Sequence, residues 1–248
     1  MNVFLIILSC LFFCVIGYLL GNILFGPIIA KAYNRDVRKE GSNNPGATNV
    51  WRTLSKKAGF IVSVLDCLKS YVAVIICWGF YFCTIKLIST EIYLYWTVYL
   101  GGVFAVIGHC LPIRYVYALI KKKENAKQFS GGKGVSSFGG LLFAISPWIA
   151  LCAFGFWLVI VLITRYISLA SIFMTIFASS MIFVPGVNWL YLFSNDLFDW
   201  YSNYLSNADS LINIICIFSM CICLSSFIIW RHKNNIKNLL DKKERKFF

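Results

Sequence analysis

Two short stretches carry glycines and side chains suited to holding phosphate. GSNNPGATNVWR at 41–52 combines Gly41 and Gly46, which permit close backbone approach, with Pro45, which fixes a turn. Ser42, Asn43 and Asn44 offer short hydrogen-bonding groups. Thr48 or Asn49 suits the start of a helix, where unpaired amides and the dipole attract anions. Arg52 follows about one turn later with a permanent charge and a forked donor geometry that matches phosphate. In the second stretch, FSGGKGVSS at 129–137, Lys133 sits among Gly131, Gly132 and Gly134, so that successive amides form an anion nest around an ammonium. A nucleotide-binding P-loop would need Ser or Thr at 134 and Gly at 127, where this chain has Gly134 and Lys127. Each stretch alone also reads as an ordinary Gly-rich turn; together they predict phosphate binding without nucleotide hydrolysis.

Other polar groups are less specific. His109 lies in GHCLP and His232 in RHKNNI; neither has an Asp five residues later, since Arg114 and Lys237 stand there. That excludes the His-x4-Asp pattern of common glycerolipid acyltransferases. Asp66 and Lys69, three apart inside an apolar run, share a helix face and are expected to form a structural ion pair. The ten cysteines lie almost entirely in apolar runs, with no Cys-x-x-Cys pair and no zinc-like spacing. They read as packing residues, and no metal site is expected.

The elements that position these residues belong to a membrane. Of the 248 residues 59% are hydrophobic, and the mean hydropathy is +0.75, too apolar for a soluble chain of this length. Residues 1–30 carry no charge, more than the ~20 residues a bilayer crossing needs. Without a basic leader or a cleavage site they read as a retained anchor. Apolar segments fall near 3–30, 58–85, 92–108, 135–164, 166–186 and 210–230. Basic residues cluster in 31–57, 109–133 and beyond 230, whereas the loops near 86–91 and 187–209 carry Glu91, Asp196, Asp199 and Asp209 with at most one Lys. The positive-inside rule places the three basic clusters in the cytoplasm. An even number of crossings must then separate 133 from the C-terminus, which requires the long segment 135–164 to break at Pro147. The expected fold is an all-α polytopic integral membrane protein with seven transmembrane helices, N-terminus outside and C-terminus cytoplasmic.

This topology brings 41–52, 108–137, 165–171 and 231–244 to the cytoplasmic face, as parts of one composite site. At this point the chain resembles a known family, the acyl-phosphate-dependent glycerol-3-phosphate acyltransferases of bacteria (PlsY). The resemblance rests on GSNNPGATNVWR, LDCLKS at 65–70, GHCLP at 108–112, FSGGKGVSS, RYISLASI at 165–172 and RHKNNIKNLL at 231–240. These follow one another in the family's order through nearly the whole chain.

The resemblance implies a single transmembrane acyltransferase domain over 1–248, with motif loops near 31–57, 109–134, 165–168 and 231–248. It implies transfer of an acyl chain from acyl phosphate to the sn-1 hydroxyl of glycerol 3-phosphate, giving lysophosphatidic acid and phosphate without cofactor. Carried onto this sequence, Ser42, Lys133, Arg52, His232 and Asn235 are the expected catalytic residues. Gly41, Asn44, Thr48, Asn49, Gly131, Gly132, Gly134 and Ser168 are expected to bind substrate. The expected setting is the plasma membrane, as a multi-pass monomer with its site on the cytoplasmic side and no nucleic-acid partner. The alternative is a membrane transporter of a phosphorylated anion, which would need the same glycines and cations.

Three departures from the family pattern stand out. About a dozen extra residues lie between Pro112 and Ser130, among them Lys121–Lys123 and Lys127, suited to anionic lipid heads. The closing Lys-Gly-Thr-Glu is here Asp241-Lys242-Lys243-Glu244, so only the Glu remains. FSGGKGVSS ends Val-Ser-Ser where Val-Ala-Thr is common.

Overall fold

The structure, a computed structural model, describes residues 3–88, 94–183 and 208–247. Residues 89–91 of one of the expected non-basic loops and 187–207 of the other lie outside the described residues. The chain divides into two compact units, Met1–Ile88 with Leu100–Leu141 and Ser89–Tyr99 with Leu142–Phe248.

The first unit opens with α1 (Val3–Gly21) and α2 (Phe25–Ala32). The apolar run 3–30 is thus two helices. Pro27 cannot continue a helix from α1, because its ring would clash with the carbonyl four residues back, but it is tolerated in the first turn of a new one. Next come the short α3 (Ala47–Thr53) and the 33-residue α4 (Lys56–Ile88). α5 (Tyr99–Cys110), α6 (Ile113–Ile120) and the start of α7 (Val135–Ile145) complete the unit. Small residues let the helices touch. On α1, a Cβ at Gly17 or Gly21 would collide with the backbone of Gly101 or Ala105 on α5. Gly17 and Gly21 are four apart, as are Gly101 and Ala105, the spacing that lets helix backbones approach inside a membrane. On α7, Gly140 lies against the Cys67 carbonyl of α4.

Opposite this contact, α1 exposes Phe4, Leu8, Leu11, Val15 and Leu19, an apolar outer stripe suited to lipid. α2, α3 and α4 meet around Ala30, Val37, Val50, Ala58 and Val62. Burial of each such valine contributes about 1.5–3 kcal/mol, and this cluster seats the loop 33–46 above it.

The second unit contains α8 (Pro147–Thr164), α9 (Ile167–Ser180), α10 (Ala208–Arg231) and α11 (Lys233–Leu240). The expected break at Pro147 is found: α7 ends at Ile145, Ser146 caps α8 by accepting from the Ile149 amide, and Pro147 opens the helix. Arg165 ends α8 in the left-handed region, φ 64°. Ser225 of α10 donates to the Thr175 carbonyl of α9 at 2.9 Å and meets Ser179 at 3.0 Å, side-chain hydrogen bonds of the kind that join helices in lipid.

Among the described residues, Phe4–Ala32, Lys56–Thr84, Pro147–Thr164 and Leu211–Arg231 are long and apolar enough to cross a membrane. Tyr95–Cys110 with Ile113–Ile120 forms a further apolar pair bent by 58°, and Val135–Ile145 and Ile167–Phe183 are shorter apolar helices.

Candidate active site

The loop 41–52 is organised from beneath by Asn49, which is almost fully buried. Its Nδ2 donates to the Val37 carbonyl at 2.8 Å and the Glu40 carbonyl at 3.0 Å, and its Oδ1 accepts from the Ser42 amide at 2.9 Å. The side chain thereby fixes three points of the incoming loop. Gly41 passes over it at φ 63°, where a Cβ would collide with Asn49 Oδ1. Asn44 Oδ1 accepts from the Gly46 amide at 2.9 Å, closing an Asx-type turn. Arg35 and Glu40 form a two-bond ion pair on the same loop, and Arg35 holds the Glu40 carboxyl below its usual range.

α3 begins at Ala47 with Gly46 as its cap, so Thr48 and Asn49 lie within its first turn rather than at the cap position. Ser42 and Arg52 are exposed, and Thr48 is half-buried. Asn49→Asp keeps the shape but turns two donors into acceptors facing carbonyls. It should cost about 1–3 kcal/mol and speed amide exchange over 37–42, while Asn49→Gln should recover part of the loss.

The loop 131–134 rests on His109. Gly131 lies against the His109 carbonyl, and Gly132 against the imidazole, where a Cβ would stand 2.9 Å from Cε1 and closer to Nε2. Gly134 adopts φ 90°, a value that favours glycine, and its carbonyl starts α7 by accepting from Phe138. Gly131, Gly132 and Gly134 are buried, with Lys133 half-exposed between them. Two glycines are set by contact and one by dihedral.

Under this loop lies a buried polar group. Lys69 Nζ donates to the Ile23 carbonyl at 2.7 Å and to His109 Nδ1 at 2.8 Å, and lies 2.8 Å from Asp66 Oδ1. The Asp66 contact is an ion pair rather than a directed hydrogen bond. His109 Nδ1 also lies 3.4 Å from Asp66 Oδ1, so the three side chains form one buried cluster, with Nε2 of the ring facing Gly132. The expected Asp66–Lys69 pair is present, and it reaches further than the sequence suggested, to His109.

In the second unit, Ser168 Oγ and Asn235 Nδ2 both donate to Glu244 Oε1 at 2.7 Å. Residues 243–244 fold back onto the Asn238 carbonyl of α11, and the Phe247 amide donates to the Arg165 carbonyl at 2.8 Å. His232 is buried, with Nδ1 2.8 Å from the Ile228 carbonyl. Because a carbonyl only accepts, Nδ1 carries a proton and donates to it. Glu244 was visible in the sequence only as the residue of a closing motif, yet it gathers two expected site residues. Glu244→Ala should unfasten both, loosening α11 by about 1 kcal/mol for partly exposed bonds. Glu244→Gln should retain most of the hold through its carbonyl oxygen, a contrast that thermal unfolding and exchange over 233–247 can measure.

Comparison with known proteins adds an independent result. A family model described as "Glycerol-3-phosphate acyltransferase" matches residues 11–242. A glycerol-3-phosphate acyltransferase of Malacoplasma penetrans is 38% identical, over 100% of this chain and 97% of its own. One of Aquifex aeolicus is 35% identical, over 97% of this chain and 100% of its own. A crystal structure of PlsY (YgiH), described as an integral membrane glycerol 3-phosphate acyltransferase in its glycerol 3-phosphate form, is similar at 35% identity. Its TM-score is 0.70, with 97% of this chain and 96% of that chain covered.

Proposed function

The chain belongs to the glycerol-3-phosphate acyltransferase family, and from that membership we propose that it acylates the sn-1 hydroxyl of glycerol 3-phosphate. The donor in this reading is acyl phosphate, the products are lysophosphatidic acid and inorganic phosphate, and the reaction is the first step of phospholipid synthesis. The chain crosses the plasma membrane seven times, N-terminus outside, with its site facing the cytoplasm. The observation that carries the substrate assignment is the similarity, along almost the whole chain, to a structure described in a glycerol 3-phosphate form. A second structure of the same protein, at TM-score 0.68, is described in a lysophosphatidic acid form.

Acyl phosphate is a mixed anhydride with a good leaving group, so the protein needs to bind and align more than to activate. The sn-1 oxygen attacks the acyl carbonyl carbon, the bond from that carbon to the phosphate oxygen breaks, and the hydroxyl proton passes to a phosphate oxygen. Lys133 and the amides of 131–134 stabilise the departing phosphate and the tetrahedral oxyanion, with Ser42, Thr48 and Ser168 as further contacts to the donor. Arg52, His232 and Asn235 hold and orient glycerol 3-phosphate. Asn49 acts mainly by shaping the Ser42 loop, since its amide already serves three backbone groups. Among the expected residues no Ser-His-Asp set is apparent, which favours direct transfer over an acyl-enzyme.

The test uses purified protein in detergent with acyl phosphate and labelled glycerol 3-phosphate. Lysophosphatidate should form without added nucleotide. Transfer from an acyl thioester alone would overturn the donor assignment. Flux of glycerol 3-phosphate across vesicles with no product would replace the enzyme by a transporter.

A further inference from the structure

The segment that follows α5 has no part in the reaction proposed above, yet it is built. Tyr18 Oη donates to the Leu111 carbonyl at 2.8 Å, and the Ile113 amide, first in α6, donates to Asn22 Oδ1 at 2.9 Å. Asn22 directly follows α1, whose 19 charge-free residues span about 28 Å at ~1.5 Å per residue, close to a hydrocarbon core. α6 therefore starts where a membrane-length helix ends, and it turns away from α5 by 58°. Its eight residues, about 12 Å long, are too short to cross.

The composition of α6 suits that place. Ile113, Tyr117 and Ile120 recur at i, i+4 and i+7 on one stripe, and Ile120 is 72% exposed. Arg114 and Lys121 flank the stripe. The chain then turns through Lys121–Lys123, with the Lys123 ammonium 5.3 Å from the centre of the Tyr117 ring, and returns as a short 3-10 turn, Ala126–Phe129. The Lys123 amide donates to the Ala118 carbonyl, and the Ala126 amide to the Lys123 carbonyl. In this segment only Ala118 and Ala126 are buried, facing inward. Across 113–129 five cations stand against Glu124 alone. The outward surface is thus an apolar stripe bordered by cations, anchored at the bilayer edge.

We infer that α6 and the Lys121–Lys127 turn form a docking surface for the anionic phospholipids of the surrounding bilayer. α6 lies in the interface plane, its Ile113–Tyr117–Ile120 stripe enters the acyl boundary, and Lys121, Lys122, Lys123 and Lys127 meet phosphate headgroups. Charge complementarity identifies the partner: a zwitterionic surface satisfies the stripe but leaves the lysines without counter-charge.

Amide hydrogen exchange of the full chain in lipid nanodiscs tests this independently of catalysis. Exchange over 113–127 should be about tenfold slower in discs containing phosphatidylglycerol than in pure phosphatidylcholine, given the attraction of each basic residue to an anionic surface. The variant K121Q/K122Q/K123Q/K127Q should lose that difference while α4 exchanges as before. Ile120→Asn should speed exchange in both lipids. K56Q/K57Q, which removes basic charge elsewhere, should leave the difference intact. Equal exchange of the wild-type segment in the two lipids overturns the inference, as does a loss of the difference in K56Q/K57Q, which would reduce it to net charge.

Discussion

Lys133→Ala is expected to lower kcat/KM about 10²–10³-fold, the usual loss when one preorganised group is removed from a developing charge. Lys133 is the one cation within FSGGKGVSS, and its neighbours cannot substitute for it. Gly131 and Gly132 are held against His109, and Gly134 is held by its dihedral, so the loop keeps its path when the side chain is lost. The variant should therefore fold with an unchanged unfolding midpoint, separating chemistry from stability. Lys133→Arg should recover only part of the rate, because a forked guanidinium does not replace a compact ammonium inside a nest of amides. Near-wild-type turnover by Lys133→Ala would show that the phosphate is held elsewhere and that the role given to this loop is wrong.

What the sequence could reveal follows the range of the interactions. The break at Pro147 and the pairing of Asp66 with Lys69 depend on neighbours within a few residues, and both were legible. The glycines of 131–134 were legible as a type, because nests need small residues, but not the reason each is required. Two of them make room for His109, more than twenty positions away, and sequence spacing carries no signal for such contact. Asn49 shows the same limit. Read in order it is a polar residue near a helix start; in the fold it is a buried hub whose partners lie 7–12 residues upstream. Glu244 reaches Ser168 across 76 positions. A surviving acidic residue in an altered motif was the only hint, and a hint of that kind gives no partner. The apolar run 3–30 was misleading in a further way: hydropathy alone does not register that Pro27 forces a new helix or that Asn22 is needed to hold α6.

Lys69→Met should be the most destabilising single change considered, by about 3–5 kcal/mol, because it leaves a buried carboxylate without its cation. Asp66, Lys69 and His109 are all at most 5% exposed, so water cannot take the place of the lost partner. The double variant D66N/K69M removes the stranded charge along with its partner and should recover most of the unfolding midpoint. Activity should not follow. Lys69 also donates to His109 Nδ1 and to the Ile23 carbonyl, and neither contact returns with methionine. The ring beneath Gly132 would lose that anchor, and the glycine loop carrying Lys133 would be less firmly seated. A stable double variant with poor kcat/KM would thus separate two roles of one side chain, balancing a charge and fixing a ring. A double variant as active as the wild type would mean that the loop holds its shape without His109 being fixed. If instead Lys69→Met unfolds at the wild-type temperature, the buried pair is not what stabilises this part of the unit.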